Sequence, residues 1–236
     1  MAKRFVVKNE DLSIKENIIE VTGTEAHHIN VLRHKKGDKI NVNDYLIEIA
    51  EINKDKIVGN ILEKVCDKGI PNTNITLIQS YLKADKMEYV VQKAVELGVK
   101  HVIPAITKNT VVKFDEKAAS KKVERLNKIA VEAIGQCGRT DDVDVVNIQN
   151  FKDIDWDLYD LILICHEKAT LQIDDILEEI HSALNIAVVI GPEGGLENSE
   201  IENIPSQNVK KVVFGERILR AETASLYMLS ILDYLT

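Results

Sequence analysis

Two glycine-bearing segments near the end of the chain carry the residue types best suited to hold a small ligand. The first, Gly191-Pro192-Glu193-Gly194-Gly195-Leu196, follows five apolar residues at 186–190. The second, 214–225, joins an apolar run at 211–214 to an amphipathic segment at 221–235. A loop between a strand and a helix presents free backbone N–H groups, and glycine allows a tight turn there. We therefore predict that the two segments form two walls of one pocket.

Neither segment is a standard phosphate-binding loop. A Walker loop needs Lys and Ser/Thr after its second glycine, and a dinucleotide fingerprint needs G-x-G-x-x-G at the start of a long helix. Glu193 would repel an anionic phosphate but would tolerate a cationic ligand. The spacing alone is equally compatible with a plain turn in which Pro192 fixes the backbone and Glu193 is solvated.

Composition places the chain among ordinary globular proteins. Its 236 residues are 45% hydrophobic and 29% charged, which is enough for one large or two modest domains. No apolar run reaches half the length needed to span a bilayer, and the N-terminus lacks the apolar region of a signal peptide. The three cysteines, Cys66, Cys137 and Cys165, are far apart and odd in number. This usage is typical of reduced thiols, so we predict a cytoplasmic protein with no membrane partner.

Charge is distributed unevenly along the chain, whose formal net charge is −8. Residues 1–70 hold 12 basic and 12 acidic side chains, whereas residues 71–236 hold 18 and 26. Within the first part, Arg33, His34, Lys35, Lys36 and Lys39 form a basic cluster. Such a cluster can bind phosphates in a salt-dependent manner, although an ordinary solvated turn has the same composition.

The elements that must position these residues fall into two groups. Residues 1–70 predict a small β-barrel with one helix at about 24–33, which Thr24 caps, and with strands at 5–8, 18–22, 39–42, 45–52 and 57–65. After a linker at 71–74, strands and helices alternate, which indicates a mostly parallel sheet. The predicted strands are 75–81, 101–105, 160–165, 186–190 and 211–214, and apolar stripes predict helices over 87–98 and 119–137.

The adjacent pair His27-His28 could suggest a metal site. No Cys, His or Asp follows at the i+4 spacing that would complete a ligand set on the same helix face. We therefore predict no metal.

Several motifs together resemble those of one enzyme family. The glycine loop at 191–196 and the string Gly215-x-Arg217-Ile218-Leu219-Arg220-x-Glu222-Thr223-Ala224 are similar to the paired C-terminal motifs of the RsmE family of 16S ribosomal RNA uridine-N3 methyltransferases, in the SPOUT superfamily. The resemblance extends over nearly the whole chain, through His27-His28, Val31-Leu32-Arg33, Gly37-Asp38, Lys83-x-Asp85-Lys86-Met87-Glu88, Gln92-Lys93-Ala94-x-Glu96-Leu97-Gly98-Val99 and Glu132-Ala133-x-x-Gln136-Cys137-x-Arg139.

This resemblance implies an α/β protein with a PUA-like RNA-binding barrel at 1–70 and a SPOUT methyltransferase domain with a deep trefoil knot at 74–236. It also implies a homodimer that binds S-adenosylmethionine and acts on 16S ribosomal RNA of the small ribosomal subunit. The family usually has Glu where this chain has Gly135, and Asp-Gly where it has Asn43-Asp44, so the role of that family Glu is not carried over.

Site residues follow from the same resemblance. The cofactor would be bound by Gly191, Pro192, Glu193, Gly194, Gly215, Ile218, Leu219, Ala221 and Thr223. RNA would be bound by His27, Arg33, Lys35, Lys36 and Lys86. The catalytic residues would be Arg220 and Arg139, with Arg139 facing the methylation pocket.

The expected chemistry is methyl transfer to a weakly acidic imide. Loss of the proton from N3 of uracil spreads negative charge onto two carbonyl oxygens, which a nearby cation such as Arg220 or Arg139 would stabilise. Glu193, Glu222 and His166 all remain candidates for the general base. Two other functions fit the residues: a noncatalytic RNA-binding module, and a methyltransferase of the same superfamily that acts on ribose 2′-oxygen or on transfer RNA.

Overall fold

A computed structural model describes residues 4–7, 9–64, 72–112, 115–139 and 141–236. Several predicted features lie outside the described residues: the strand ends Lys8 and Val65, the thiol of Cys66, and Pro71, which begins the predicted linker. The chain divides into two compact units. The first combines residues 1–70 with 134–141, and the second combines residues 71–133 with 142–236.

The first unit is a curled six-stranded sheet with one helix. Its strands are β1 (Arg4–Phe5), β2 (Leu12–Lys15), β3 (Ile18–Thr22), β4 (Lys39–Val42), β5 (Tyr45–Asn53) and β6 (Lys56–Lys64), and α1 (Gly23–Val31) follows β3. The strands are ordered β1-β4-β5-β6-β3-β2. The β1–β4 pair is parallel and the other pairs are antiparallel.

The core of this unit is built from alternating positions of the strands and one side of α1. In β5, Ile47 and Ile49 are buried while Glu48 between them is half-buried. The β5–β6 ladder is irregular at Leu46/Ile47 and again at Ile49/Glu51. These irregularities explain why the period of two in this strand is only approximate, because a bulge shifts the side chains that follow it to the other face.

Two details of the first unit differ from the sequence-based prediction. The pattern did not predict β2 at the edge of the sheet, where Leu12 is half-buried and Ser13, Ile14 and Lys15 are exposed. Thr24 does not cap α1, which begins at Gly23 with Thr22 in the N-cap position. The hydroxyl of Thr22 donates to the carbonyl of Asp11 instead of capping the helix.

The turn at Asn43-Asp44 shows how the chain manages without the glycine that the family usually has there. Asn43 adopts φ 47°, which confirms that this residue type tolerates a positive φ here. Its side-chain oxygen accepts from the N–H of Val7 at 2.7 Å, and its amide donates to the Val7 carbonyl at 2.9 Å. The side chain of Asn43 therefore continues the pairing of the segment that follows β1.

The second unit contains a seven-stranded parallel sheet. Its strands are β7 (Asn74–Ser80), β8 (His101–Ile106), β9 (Asp144–Val145), β10 (Gln149–Asn150), β11 (Leu161–Cys165), β12 (Asn185–Ile190) and β13 (Val209–Val212). The order is β10-β8-β7-β12-β11-β13, with β9 also paired to β8. All the pairs are parallel, as the alternating pattern predicted. The last strand lies two residues earlier than predicted, because its ladder with β11 ends at Cys165 and Val212.

The described residues contain five further α-helices: α2 (Lys86–Glu96), α3 (Glu116–Cys137), α4 (Leu177–Ser182), α5 (Asn198–Glu202) and α6 (Ala221–Leu235). The predicted stripe of α2 is buried from Met87 to Val95. The predicted stripe of α3 is buried at Val123, Leu126, Ala130, Ala133 and Ile134, but its last member, Cys137, is exposed. One side of α6 packs against α2 and β12. No helix in the described part of the chain has the length and apolar character needed to cross a bilayer.

Candidate active site

A cleft of about 830 Å³ opens at the carboxyl ends of three strands of the parallel sheet. Its walls come from the segments that follow β11, β12 and β13. Carboxyl ends of parallel strands meet at one edge of a sheet, which is where ligands bind in open α/β folds. Both glycine-bearing segments line this cleft, as their sequence pattern predicted.

The loop after β12 is held by one turn and one amide. The Gly195 N–H donates to the Pro192 carbonyl at 2.9 Å. From the segment after β8, the Asn109 amide donates to the carbonyls of Gly194 and Gly195 at 3.2 and 3.1 Å. A Cβ on Gly191 would lie 3.0 Å from the backbone nitrogen of Leu196, so close approach of the backbone explains this glycine. The loop is therefore a rigid wall.

The segment between β13 and α6 forms the opposite wall. Gly215 has φ 79°, a conformation that glycine adopts at little cost. Ile218 lines the cleft with 80% of its surface exposed, and Leu219 is half-buried beside it. Arg220 occupies the N-cap position of α6, and its exposed guanidinium makes no hydrogen bond to any described residue. This wall therefore offers an apolar surface next to the guanidinium of Arg220, which has no hydrogen-bond partner among the described residues.

Lys86 lies in the cleft between two carboxylates. Its Nζ is 3.6 Å from Glu193 Oε1 and 3.2 Å from Glu222 Oε1. Burial acts to raise the pKa of Glu222, but hydrogen bonds from its own backbone N–H and from Lys86, with the charges of Lys86 and Arg220, outweigh burial. The pKa of Glu222 is therefore below its ordinary value of 4.5. Lys86 was predicted to bind RNA, and the structure places it among the residues of the cleft.

The remaining base candidate, His166, lines the cleft together with Glu193, whereas Glu222 is not among the lining residues. Its Nδ1 lies 3.1 Å from the backbone N–H of Lys168 and accepts a hydrogen bond from it. A neutral imidazole with Nδ1 as acceptor carries its proton on Nε2, so this ring is set up as a donor rather than a base. Cys165 precedes it, and burial raises the pKa of its thiol well above the ordinary value. This cysteine is therefore a poor nucleophile.

A buried polar pair supports the end of the cleft formed by α6. The Ser225 hydroxyl donates to Gln79 Oε1, and both side chains are fully buried. Gln79 is in β7 and also donates to the Ser80 carbonyl at 3.0 Å. Because Ser225 lies one turn after Ala221, this pair fixes the first turn of α6 against the sheet. Sequence reasoning missed the pair, since 146 residues separate its members and neither position carries a local signal.

Two of the residues predicted to bind the cofactor or to act in catalysis do not line the cleft. Thr223 is exposed in the first turn of α6. Arg139 belongs to the first unit, where it is buried and forms a two-bond fork with Asp141. Its Nε donates to Oδ1 at 2.9 Å and its Nη2 donates to Oδ2 at 2.6 Å. The orientation of Arg139 toward a methylation pocket stays a prediction.

The other predicted RNA contacts are exposed around the end of α1. They are His27, Arg33, Lys35 and Lys36. Arg33 adopts φ 60° where the chain leaves the helix, and its N–H donates to the Asn30 carbonyl at 2.9 Å. The Lys35 N–H donates to Asp38 Oδ2 at 2.8 Å, which fixes the following turn. Within the described residues, no group of three or more His, Cys, Asp or Glu side chains could hold a metal ion.

Comparison with known proteins matches both units to family models. Residues 70–233 match an RNA methyltransferase domain, and residues 21–62 match an RNA methyltransferase PUA domain. A relative from Bacillus subtilis, named ribosomal RNA small subunit methyltransferase E, is 33% identical over 99% of this chain and 97% of its own length.

Solved structures give the same relationship. A ribosomal RNA small subunit methyltransferase E from Neisseria gonorrhoeae, bound to S-adenosylmethionine, superposes with a TM-score of 0.85 at 27% identity, covering 100% of this chain and 98% of its own. A putative methyltransferase from Legionella pneumophila, also with S-adenosylmethionine, gives 0.84 at 26% identity, covering 99% and 98%. The α/β fold class with its PUA domain and the family implied by the sequence motifs are confirmed: the chain belongs to the ribosomal RNA small subunit methyltransferase E family of RNA methyltransferases.

Proposed function

We propose that this chain transfers a methyl group from S-adenosylmethionine to N3 of a uridine in the 16S ribosomal RNA of the small ribosomal subunit. The observation that carries the proposal is the cleft, in which a glycine-held wall, an apolar wall and the carboxylate of Glu193 line one space, while Lys86 pairs with Glu193 and with Glu222 of α6. The names of the relatives and their bound cofactor support the same conclusion.

The residues of the cleft fit S-adenosylmethionine. Its volume of about 830 Å³ falls within the range of small-molecule sites. Backbone groups of the loops can pair with adenine, Ile218 and Leu219 provide an apolar surface, and Glu193 and Glu222 suit a positively charged sulfonium. The lining also includes Gly191, Pro192, Gly194, Gly215 and Ala221. Thr223 would contribute its backbone N–H, which is one of the free donors in the first turn of α6.

The bound cofactor supplies a methyl group that is already activated by the sulfonium. The protein must therefore position the uracil and stabilise the charge that develops on its carbonyl oxygens. Arg220 is the cation assigned to this task, because its guanidinium lies at the cleft without a partner among the described residues. Arg139 is proposed as a second cation, which its fork with Asp141 holds in one orientation.

A strong general base is not needed for this step. The lowered pKa of Glu222 makes it a weak base, and the ring of His166 is arranged as a donor. Stabilisation of the uracil anion by Arg220 lowers the basicity required of any proton acceptor. Positioning and charge therefore contribute more than proton abstraction.

The rest of the chain is proposed to serve this reaction. A PUA-like unit at 1–70 would bind the RNA through the exposed residues His27, Arg33, Lys35 and Lys36, and a domain at 74–236 would carry a deep trefoil knot. The knot is supported by the convergence of three successive strand–loop segments on one cleft.

We further propose a cytoplasmic homodimer, which is supported by the exposed Tyr227 and Tyr234 on α6 and is tested by sedimentation.

The test is a methyl-transfer assay on small ribosomal subunits that lack the modification. The protein would be incubated with labelled S-adenosylmethionine, and the digested RNA would be analysed by mass spectrometry. We expect N3-methyluridine in 16S ribosomal RNA. A methyl group on a ribose 2′-oxygen, or on transfer RNA only, would contradict the proposal. Calorimetry that detects no cofactor binding would instead support a noncatalytic RNA-binding module.

A further inference from the structure

A second cavity of about 430 Å³ lies in the same unit, at the carboxyl ends of β8 and β10. It shares no lining residue with the active-site cleft. The segment after β8, the segment after β10 and the short helix α5 form its walls. We call it the carboxyl-edge pocket. The function proposed above does not use it.

The carboxyl-edge pocket and the cleft are neighbours along one edge of the sheet. Lys108 lines the pocket while the next residue, Asn109, lines the cleft. Similarly, Ser199 and Glu200 line the pocket, while Glu197 and Asn198 line the cleft. Two hydrogen bonds join the segment after β8 to the start of α5. The Asn109 amide donates to Glu197 Oε1 at 3.3 Å, and the Lys108 N–H donates to Glu200 Oε1 at 2.9 Å. A ligand that crosses this narrow boundary would reach both spaces.

The floor of the pocket is aromatic and apolar. Phe151 and Trp156 meet there edge to face, with ring centroids 5.1 Å apart, and Ile204 lies beside them. All three are less than a tenth exposed. Because these side chains belong to the hydrophobic core, the floor offers an apolar contact rather than an open stacking face, and such a contact suits the edge of a flat group such as a nucleobase.

The rim of the pocket is positively charged. Lys108 and Lys152 are both exposed, and neither pairs with a carboxylate of any described residue. Lys108 Nζ donates to the neutral Ser199 hydroxyl at 2.6 Å, so its charge is not compensated. The pocket also holds the carboxylate of Glu200, whose oxygens accept from the N–H groups of Lys108 and Glu197 at 2.9 and 3.0 Å, so the lining has two lysines and one carboxylate.

This local excess of positive charge is unusual for its part of the chain. Residues 71–236 hold 18 basic and 26 acidic side chains, so an anionic polymer would be repelled by most of this surface. Two exposed lysines against one carboxylate at this pocket therefore mark a place where a phosphate can approach. An apolar floor below such a rim provides a contact for a base beside cations for its phosphate.

We propose that the carboxyl-edge pocket binds a nucleotide adjacent in the RNA strand to the one that is methylated. Its base would pack against the floor formed by Phe151, Trp156 and Ile204, and its phosphate would contact Lys108 and Lys152. This inference rests on the proposed function for the identity of the polymer as RNA. Anchoring the neighbour on one side of the boundary would hold the target base on the other side.

The test measures RNA binding and cofactor binding separately on the full chain. The probe is a fluorescein-labelled oligouridylate of about eight nucleotides, titrated by anisotropy at several salt concentrations. We expect Lys152→Ala to weaken binding about five- to tenfold and to reduce the slope of log K against log salt by about 0.7, the value for one phosphate contact in a single strand. The control is Lys100→Ala, which changes a lysine at the amino end of β8, whereas the pocket lies at its carboxyl end. This variant should bind the probe like the wild type.

A second variant tests the pocket itself rather than its charge. Asn203 is exposed at the end of α5 and lines the pocket, so Asn203→Phe should fill the space without touching the cleft. We expect weaker binding of the probe with an unchanged salt slope. Wild-type affinity for the probe in both Lys152→Ala and Asn203→Phe would overturn the proposal.

The two proposals fail in different ways. Calorimetry with S-adenosylmethionine should give wild-type affinity in Lys152→Ala and Asn203→Phe, while the KM for small ribosomal subunits rises. If methyl transfer by the wild type is confirmed but neither variant changes that KM or the affinity for the probe, only the pocket assignment is overturned. If the wild type neither binds the cofactor nor transfers a methyl group, the proposed function fails, and the dependence of probe binding on Lys152 still supports the pocket as a nucleotide site.

Discussion

Lys86 Nζ lies 3.2 Å from Glu222 Oε1, so the first residue of α2 pairs with the second residue of α6 inside the cleft. Glu193 Oε1 is 3.6 Å from the same nitrogen. One lysine therefore pairs with a carboxylate of the loop after β12 and with a carboxylate of α6. Without it, Arg220 would be the remaining charge that acts to lower the pKa of Glu222.

The first prediction concerns the pKa of Glu222. Its folded value is below 4.5, so its carboxylate contributes stability that is fully present above about pH 4.5 and is lost as the pH falls through the lowered value. Lys86→Met should raise this pKa and lower the unfolding free energy at pH 7 by about 0.5–1 kcal/mol, as expected for a partly exposed pair. The stability difference between wild type and variant should shrink in acid. Carboxyl NMR titration and urea unfolding measure the two effects.

A matched control is available on the same helix. The Lys93 side chain is as exposed as that of Lys86, at 34%, and its Nζ is 2.7 Å from Glu96 Oε1. Lys93→Met should lower stability by a similar amount but leave the pKa of Glu222 unchanged. An unchanged pKa of Glu222 in Lys86→Met would show that the pair does not hold the carboxylate ionised.

The role of Lys86 also shows where sequence reasoning ends. Each glycine-bearing segment was predictable, because an apolar run, a loop and an amphipathic helix are local patterns. The parallel sheet followed from the alternation of those patterns. The placement of Lys86 beside Glu193 and Glu222 depends instead on how α2 and α6 pack, and no periodicity encodes it. The same is true of the buried contact between Gln79 and Ser225.

The errors in the first unit have a different cause. Strand β2 has only four residues, of which Leu12 is half-buried and the other three are exposed, so burial does not impose an alternation on it. The residue type of Thr24 predicts a cap, but the helix already begins at Gly23, so Thr24 lies inside its first turn. Edges of elements depend on competing local hydrogen bonds, such as the one from Thr22 to Asp11, which composition does not reveal.

A second prediction separates stability from RNA binding at Arg33. This residue has φ 60° immediately after α1, where glycine is the usual choice. A left-handed conformation costs a residue with a side chain roughly 1 kcal/mol, so Arg33→Gly should not lower the unfolding free energy. If the side chain contacts phosphate, Arg33→Gly should weaken binding of transcribed 16S ribosomal RNA and reduce the salt slope.

Lys15→Ala is the control for this experiment, because Lys15 is an exposed cation of the same unit on the edge strand β2. It should leave RNA affinity close to that of the wild type. Filter binding at several salt concentrations measures both variants. Equal affinities for wild type and Arg33→Gly would remove Arg33 from the RNA-binding surface.

A third prediction concerns the buried pair of Gln79 and Ser225. Ser225→Ala would leave the Gln79 carbonyl oxygen buried without its donor, which should cost about 1–3 kcal/mol. Gln79→Leu alone should also destabilise the protein, and the double variant should lose less than the sum of the two. Urea unfolding of the four proteins gives the coupling energy.

Ser230→Ala provides the control on the same helix, because Ser230 is exposed and should tolerate the change within about 0.5 kcal/mol. Since the pair fixes the first turn of α6, Ser225→Ala should also weaken cofactor binding, whereas Ser230→Ala should not. Strict additivity in the double variant would mean that the two side chains do not act as a unit.

The final prediction tests the cation assigned to the reaction. Arg220 lines the cleft at the N-cap of α6, and its backbone carbonyl, rather than its side chain, accepts the hydrogen bond from Ala224 at 2.8 Å. Arg220→Ala should therefore keep the fold, with an unfolding midpoint close to that of the wild type. Loss of one group that stabilises developing negative charge typically lowers kcat by roughly 100- to 1,000-fold, and we expect a fall of this size in methyl transfer to small ribosomal subunits.

The comparison of kcat with binding decides whether Arg220 acts on the transition state. Affinity for S-adenosylmethionine, measured by calorimetry, should change little in Arg220→Ala, because the carboxylates of the cleft remain. Arg220→Lys should recover part of the rate, since it restores the charge without the planar fork. Arg125 of α3 is exposed, pairs with Glu88 of α2 and does not line the cleft, so Arg125→Ala should keep the wild-type kcat. A wild-type kcat in Arg220→Ala would exclude this residue from the chemical step.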